Sequence, residues 1–191
     1  IRIGENRELQ VRGRLVMRGY WKREADTAAA FIDGWLRTGD QVAIEDGRLR
    51  ILGRIKEIIV TSTGEKIAPA DLEQAIISSA LFEQAYALGE NRPFIACAVV
   101  MSAAGWAGMA AELKVDPDAG DSLRSPAVVS LVLSHVRELT KGFPHYAQPR
   151  GVILSRTPWT SENSLLTPTL KLKRLNLANH FAADIDKLYS R

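Results

Sequence analysis

The chain has 191 residues, 46% of them hydrophobic and 25% charged, an ordinary balance for a globular protein with one good core and a smaller attached unit. Its net charge of +3 is thinly spread, with 11 Lys/Arg against 8 Asp/Glu in residues 1–54, whereas a nucleic-acid binder concentrates basic charge on one face. A single cysteine, Cys97, excludes an internal disulfide and a cysteine-based metal cluster, and no apolar run reaches the ~18 residues that span a bilayer, so a cytoplasmic location is expected.

Ile1 opens the chain within a strand-like pattern. Residues 8–13 and 14–18 read as short strands joined near Gly13, and residues 23–31 as a short helix ended by the Asp33-Gly34 turn. Leu36 to Asp40 leads into a hairpin, Gln41–Glu45 and Arg48–Leu52, turned by Asp46-Gly47. The chain up to this point lacks a core of its own. Glu57–Val60 reads as a strand. Pro69 at a first helical position starts a helix to about Ser79, with Asp71 and Glu73 favourable in its first turn. Phe82–Leu88 and Phe94–Met101 are apolar strands separated by the polar turn Gly89–Arg92. A helix follows at 103–113, then a loop over Val115–Leu123. Ser125-Pro126 starts another helix, in which Val129, Val132, Leu133 and Val136 recur at helical spacing. Gly151–Leu154 reads as a strand and Pro158–Pro168 as a loop, and Leu177, Phe181 and Leu188 stripe a final helix. The expected fold class is α+β: a short β-hairpin unit, residues 1–53, followed by a small open sheet covered by helices, residues 54–191.

Four polar groups stand at the ends of these elements. The Asp40 carboxylate, after the Thr38-Gly39 turn, offers two acceptor oxygens that can take both hydroxyls of a ribose; it can equally cap its own turn. Arg54 follows Gly53 and presents a rigid donor fork for ribose or phosphate oxygens, or for a surface salt bridge. The run Thr61–Lys66, interrupted by Gly64, can bring bare backbone to a ligand or make a plain turn. Lys171, Lys173 and Arg174 fall together after a proline-bearing loop, in a stretch from Asn163 to Ala183 without an acidic residue. That cluster suits a phosphoryl group, or is a solvated basic loop. Glu73 reads as structural. His135, His145 and His180 are scattered with no partners at metal-ligand spacing, so no metal site is expected. Cys97 reads as inert core, and Trp159 as an anchor for the loop before Lys171.

The order of these parts resembles a known family. Glu8-Leu9-Gln10-Val11-Arg12-Gly13, Asp33-Gly34-Trp35-Leu36-Arg37-Thr38-Gly39-Asp40, Gly53-Arg54-Ile55-Lys56-Glu57, Ser62-Thr63-Gly64-Glu65-Lys66-Ile67-Ala68-Pro69 and Leu166-Thr167-Pro168-Thr169-Leu170-Lys171-Leu172-Lys173-Arg174 are similar to five successive motifs of the adenylate-forming superfamily. That superfamily comprises acyl-CoA synthetases, luciferases and peptide-synthetase adenylation domains. The Thr-Pro-Thr run most resembles the long-chain fatty acyl-CoA ligases. The resemblance implies that residues 1–53 are the last β-rich subdomain of a large N-terminal domain and that 54–191 form a mobile C-terminal domain. No Gly-rich phosphate loop matches, so the chain is expected to be the C-terminal portion of a longer enzyme and inactive by itself.

By the same resemblance, Asp40 and Arg54 would hold the nucleotide and Lys56 would be the inter-domain hinge. Gly64, Glu65 and Lys66 would lie in the loop lining the CoA tunnel. Lys171 would be the adenylation lysine, with Lys173 the alternative because Leu170 stands where many relatives carry glycine. The whole enzyme would convert a fatty acid, ATP with its Mg²⁺, and CoA to acyl-CoA, AMP and pyrophosphate. Its partners would be those small molecules and the N-terminal domain, not nucleic acid, and peripheral membrane contact is left open for the full-length enzyme. Two rival readings remain: an adenylation domain loading a carrier protein, and a non-catalytic nucleotide-binding module.

Overall fold

A computed structural model describes residues 1–190, which divide between two units, the first Ile1–Ile58 and the second beginning at Ile59. The first holds β1 (Arg2–Ile3), β2 (Glu8–Val11), α1 (Glu24–Ala30), β3 (Phe31–Ile32), β4 (Trp35–Glu45) and β5 (Arg48–Arg54). β4 is its axis: β2, β3 and β5 all pair with it antiparallel. Two turns make this possible. Asp46 and Gly47 sit at φ 51° and 74°, and Asp33 and Gly34 at φ 50° and 76°, the paired positive angles of a two-residue hairpin whose twist matches its strands. Asp33-Gly34 thus does more than stop a helix; it folds β3 back on β4. The strand expected over residues 14–18 does not form. That stretch is turn and coil, and Leu15 is fully exposed with no strand beside it. Among the described residues, only Leu9 and Val42 of this unit's apolar side chains are buried.

The second unit contains β6 (Ile59–Val60), β7 (Lys66–Ile67), α2 (Pro69–Ile77), β8 (Phe82–Leu88), β9 (Ala96–Met101), α3 (Ala103–Leu113), α4 (Pro126–Leu139), β10 (Gly151–Ser155), α5 (Arg174–His180) and α6 (Ala182–Tyr189). β9 is the middle strand, antiparallel to β8 and parallel to β10. Its six residues are all buried, and the two-residue period of the strand sorts them cleanly. Cys97, Val99 and Met101 enter a core with Trp106 of α3 and Val128, Val132 and Val136 of α4, while Ala96, Ala98 and Val100 face Trp159, Leu165, Leu177 and Phe181. The α4 spine is therefore Val128, Val132 and Val136, at four-residue intervals, with Val129 and Leu133 only partly buried against it. The single C-terminal helix expected from Leu177, Phe181 and Leu188 is broken into α5 and α6 at Phe181 (φ −97°, ψ 11°). Glu57 lies in a 3₁₀ turn, so the strand expected from Glu57 starts at Ile59 instead.

Candidate functional site

Asp40 sits where the β4 ladder is distorted on both sides. Across from β2, Glu8 pairs with Gln41 and Gln10 with Arg37, so Thr38, Gly39 and Asp40 bulge opposite Leu9 alone. A second irregularity follows on the β5 side between Gln41 and Val42. Bulges of this kind re-aim a side chain. Gly39 takes φ 74°, its N–H donates to Glu8 Oε1 at 3.2 Å, and Thr38 Oγ1 donates to Leu9 O at 2.8 Å while accepting the Asp40 N–H at 3.1 Å. Glu8 is 4% exposed and also accepts from Arg37 Nε at 3.0 Å. This buried carboxylate under the turn was not legible in the sequence, because the contact spans about thirty residues. Asp40 and Arg54 are direct cross-strand partners, with Arg54 Nε 3.0 Å from Asp40 Oδ1 and Arg54 Nη1 donating to Thr38 O at 3.1 Å. The two candidate nucleotide ligands therefore meet, although the pair is partly exposed and contributes little to stability. Lys56 is exposed in the 3₁₀ turn Ile55–Glu57, just before the second unit begins.

In the second unit the two candidate loops are built alike. In Thr61-Ser62-Thr63-Gly64-Glu65, the Thr61 N–H donates to Glu65 O (3.0 Å), the Gly64 N–H to Thr61 O (2.9 Å) and the Glu65 N–H to Thr61 Oγ1 (3.1 Å). The Thr61 and Thr63 hydroxyls share a hydrogen bond of 2.8 Å. In Thr167-Pro168-Thr169-Leu170-Lys171 the same bonds recur: Thr167 N–H to Lys171 O (2.8 Å), Leu170 N–H to Thr167 O (2.9 Å), and Lys171 N–H to Thr167 Oγ1 (3.0 Å). Thr167 and Thr169 hydroxyls are again paired, at 3.0 Å. The fourth residue of each loop is left-handed, Gly64 at φ 85° and Leu170 at φ 59°. Glycine adopts that conformation freely, whereas for leucine it costs roughly 1 kcal/mol.

Each loop is tied down at its stem. Ser62 N–H donates to Arg92 O at 2.9 Å and Val60 N–H to Glu90 Oε2 at 2.9 Å, while β6 and β7 close the base. Lys66 is exposed on β7 beside the half-buried Glu65. On the lysine side, Leu166 bridges Leu172 and the Lys173 N–H donates to Leu165 O at 2.9 Å. Trp159 is 2% exposed, and its backbone N–H and C=O are both held by the Gln84 amide, at 2.6 and 3.0 Å, so it anchors this loop as expected.

Of the three cations after Thr169, Arg174 alone enters an ion pair with the described residues; the half-buried Lys173 and the exposed Lys171 do not. Arg174, at the start of α5, grips Glu73 of α2 with both guanidinium arms, Nη1 to Oε1 at 2.8 Å and Nη2 to Oε2 at 2.9 Å. Glu73 Oε1 also accepts the Ala87 N–H of β8 at 2.9 Å, so one buried carboxylate fastens α2, β8 and α5. Glu73 is thus structural. Lys171 is exposed, and its ammonium enters no ion pair or hydrogen bond with any of the described residues. A free cation at a pinned tip can stabilise developing negative charge on a phosphoryl group. Burial pushes the Cys97 thiol up to about 12, with the Glu73 charge adding to it, which leaves it an inert core group. Among the described residues, no three His, Cys, Asp or Glu side chains converge as a metal site, and no helix is long and apolar enough to cross a membrane. An open depression of about 270 Å³ is lined by Arg137, His145, Gln148, Pro149 and Arg150, none of them a residue singled out above for nucleotide or CoA chemistry.

Residues 56–191 match the family described as the AMP-binding enzyme C-terminal domain. The chain is 36% identical over 194 residues to the long-chain-fatty-acid–CoA ligase FadD15 of Mycobacterium tuberculosis, covering all of this chain and 32% of that protein. It is 35% identical over 193 residues to long-chain-fatty-acid–CoA ligase 1 of Cavia porcellus, covering 98% of this chain and 28% of the relative. The chain thus spans about a third of the length of the curated relatives it matches. Among solved structures, the adenylation domain of a carboxylate reductase from Mycobacterium chelonae superposes with a TM-score of 0.81 at 28% identity, covering 96% of this chain and 28% of that one. A carboxylic acid reductase A domain from Segniliparus rugosus, in complex with AMP, does so with a TM-score of 0.79 at 26% identity, with the same coverages. With more than two thirds of its length in the matched region, the chain belongs to the AMP-binding enzyme C-terminal domain family.

Proposed function

We propose that the chain is the C-terminal part of a cytoplasmic fatty acyl-CoA synthetase, supplying the cation for adenylation and the loop for thioester formation. The observation that carries this reading is the contrast at the lysine loop: Arg174 is locked into Glu73 while Lys171, three residues earlier, stands free on a hydrogen-bonded tip. In the first half-reaction the fatty acid carboxylate attacks the α-phosphorus of ATP, accompanied by Mg²⁺, and pyrophosphate leaves. The Lys171 ammonium neutralises charge building on the phosphoryl and bridging oxygens, acting by electrostatics rather than proton transfer. Asp40 accepts from the ribose hydroxyls, with Arg54 orienting its carboxylate through Oδ1. In the second half-reaction the CoA thiol attacks the acyl carbon, AMP leaves, and the loop of Gly64, Glu65 and Lys66 lines the path of the pantetheine arm. Rotation at Lys56 exchanges the two loops at one centre. The fatty acid pocket and the phosphate loop belong to the N-terminal domain, so this chain alone makes no acyl-CoA.

The test is to supply the full-length enzyme with a long-chain fatty acid, MgATP and either CoA or a phosphopantetheinylated carrier protein, and to follow acyl transfer. Transfer to CoA supports the reading; transfer only to the carrier favours the second reading, an adenylation domain that loads a carrier. The likeness to an A-PCP didomain of carboxylic acid reductase, with a TM-score of 0.79 at 27% identity, is what keeps that second reading in view.

A further inference from the structure

Leu170 breaks the rule that the rest of the chain follows. Nine non-glycine residues among those described have positive φ, and the other eight are Asn, Asp, Arg, Lys or Ser. Asparagine and aspartate hydrogen-bond locally and tolerate the left-handed region, whereas a bulky aliphatic residue there is an outlier. The matching slot in the twin loop holds Gly64, whose missing Cβ would meet nothing within 4 Å, so glycine there serves conformation rather than space. Leu170 has no such freedom, and the residue is 75% exposed, so burial within this unit does not offset the strain. The pinned hydrogen bonds of Thr167 force the conformation on it. A strained, exposed leucine directly before the free lysine is unfavourable in this unit as it stands; it becomes favourable when its apolar surface is covered.

We infer that Leu170 is an apolar anchor that is buried only when Lys171 reaches the nucleotide, docking on the part of the enzyme outside this chain and so fixing the ammonium in register. The occupant is an apolar patch of the N-terminal domain, the portion that makes up about two thirds of the relatives' length and is absent from this chain. This rests on the reading of Lys171 as the adenylation cation. Leu170 is a positioning residue: it acts through its neighbour and touches no reacting atom. Because the twin loop carries glycine at the same point, the anchor serves one half-reaction and not the other.

The experiment compares Leu170→Gly, Leu170→Met and Lys171→Ala in the full-length enzyme. Adenylation is measured by pyrophosphate exchange, and thioester formation from a preformed acyl-adenylate. Leu170→Gly should lower kcat for adenylation by about tenfold with KM for ATP within about twofold, and leave thioester formation at the parent rate. Leu170→Met, apolar and of similar size, should restore most of the loss. The melting temperature of the 191-residue chain with Leu170→Gly should match or exceed the parent's. Parent-like adenylation by Leu170→Gly, or a loss shared equally by both half-reactions, overturns the anchor, as does a lowered melting temperature that accounts for the loss. If Lys171→Ala also adenylates normally, the reading of the whole site falls; if Lys171→Ala fails while Leu170→Gly does not, only the leucine proposal falls.

Discussion

Removing the Arg174 side chain should destabilise the second unit far more than loss of an ordinary surface ion pair. Arg174 and Glu73 are 22% and 11% exposed at the side chain, and two parallel bonds of 2.8 and 2.9 Å join them. Arg174→Ala deprives the buried Glu73 carboxylate of this fork, for which ~3–5 kcal/mol is the usual cost of breaking a buried pair. The Ala87 N–H still reaches Glu73 Oε1, so the lower end of that range, about 3 kcal/mol, is expected. At roughly 3–4 °C per kcal/mol for a unit of this size, the melting temperature should fall by about 10 °C. The assay is urea and thermal unfolding of the 191-residue chain, with the buried Trp106 and Trp159 as reporters. Adding Glu73→Gln to Arg174→Ala removes the buried charge while keeping an acceptor for the Ala87 N–H, and should recover part of the loss. A cost below about 1 kcal/mol, the value of an exposed pair, would refute the reasoning. So would a double variant no more stable than Arg174→Ala.

Gly64→Ala places a Cβ in open space at φ 85°, so its cost is backbone strain alone, about 1–2 kcal/mol, readable by urea unfolding. In the full-length enzyme it should slow thioester formation and spare adenylation, the reverse of a lysine-loop lesion. Cys97 should resist thiol reagents in the folded chain at pH 8 and react on unfolding. Its folded pKa, about 12, lies above the ordinary 9.0, so the folded state holds the proton more tightly. That contribution to stability is complete below pH 9 and is lost as pH rises toward about 12; Cys97→Ala should flatten this part of the pH–stability curve.

Local chemistry announced what was local. Asp46-Gly47 announced its hairpin because few other dipeptides accept two positive φ angles, and Ser125-Pro126 announced α4. The run Phe82 to Met101 read as two apolar strands because one polar turn divides it, although the second starts at Ala96 rather than Phe94. The unformed strand at 14–18 shows the opposite case: Leu15, Val16 and Met17 have the composition of a strand but pair with none. Nor did any glycine or proline mark the break at Phe181. The candidate site was legible as a set of motifs and not as an arrangement. Asp40 and Arg54 proved to be cross-strand neighbours, Glu8 lay beneath the turn, and Arg174 met Glu73 across 101 positions, contacts that only the folded chain creates. The kinship of the two loops was hidden because glycine fills the left-handed slot in one and leucine in the other.

Pre-steady-state measurement of pyrophosphate release by the full-length enzyme, with and without Lys171→Ala, addresses the central claim most directly. Loss of a preorganised charge at the transferring phosphoryl group predicts a fall of about 10²–10³-fold in that step, with the thioester step from preformed acyl-adenylate unchanged. Release at the parent rate would mean that another group carries the charge and that the free ammonium at residue 171 is an ordinary solvated lysine.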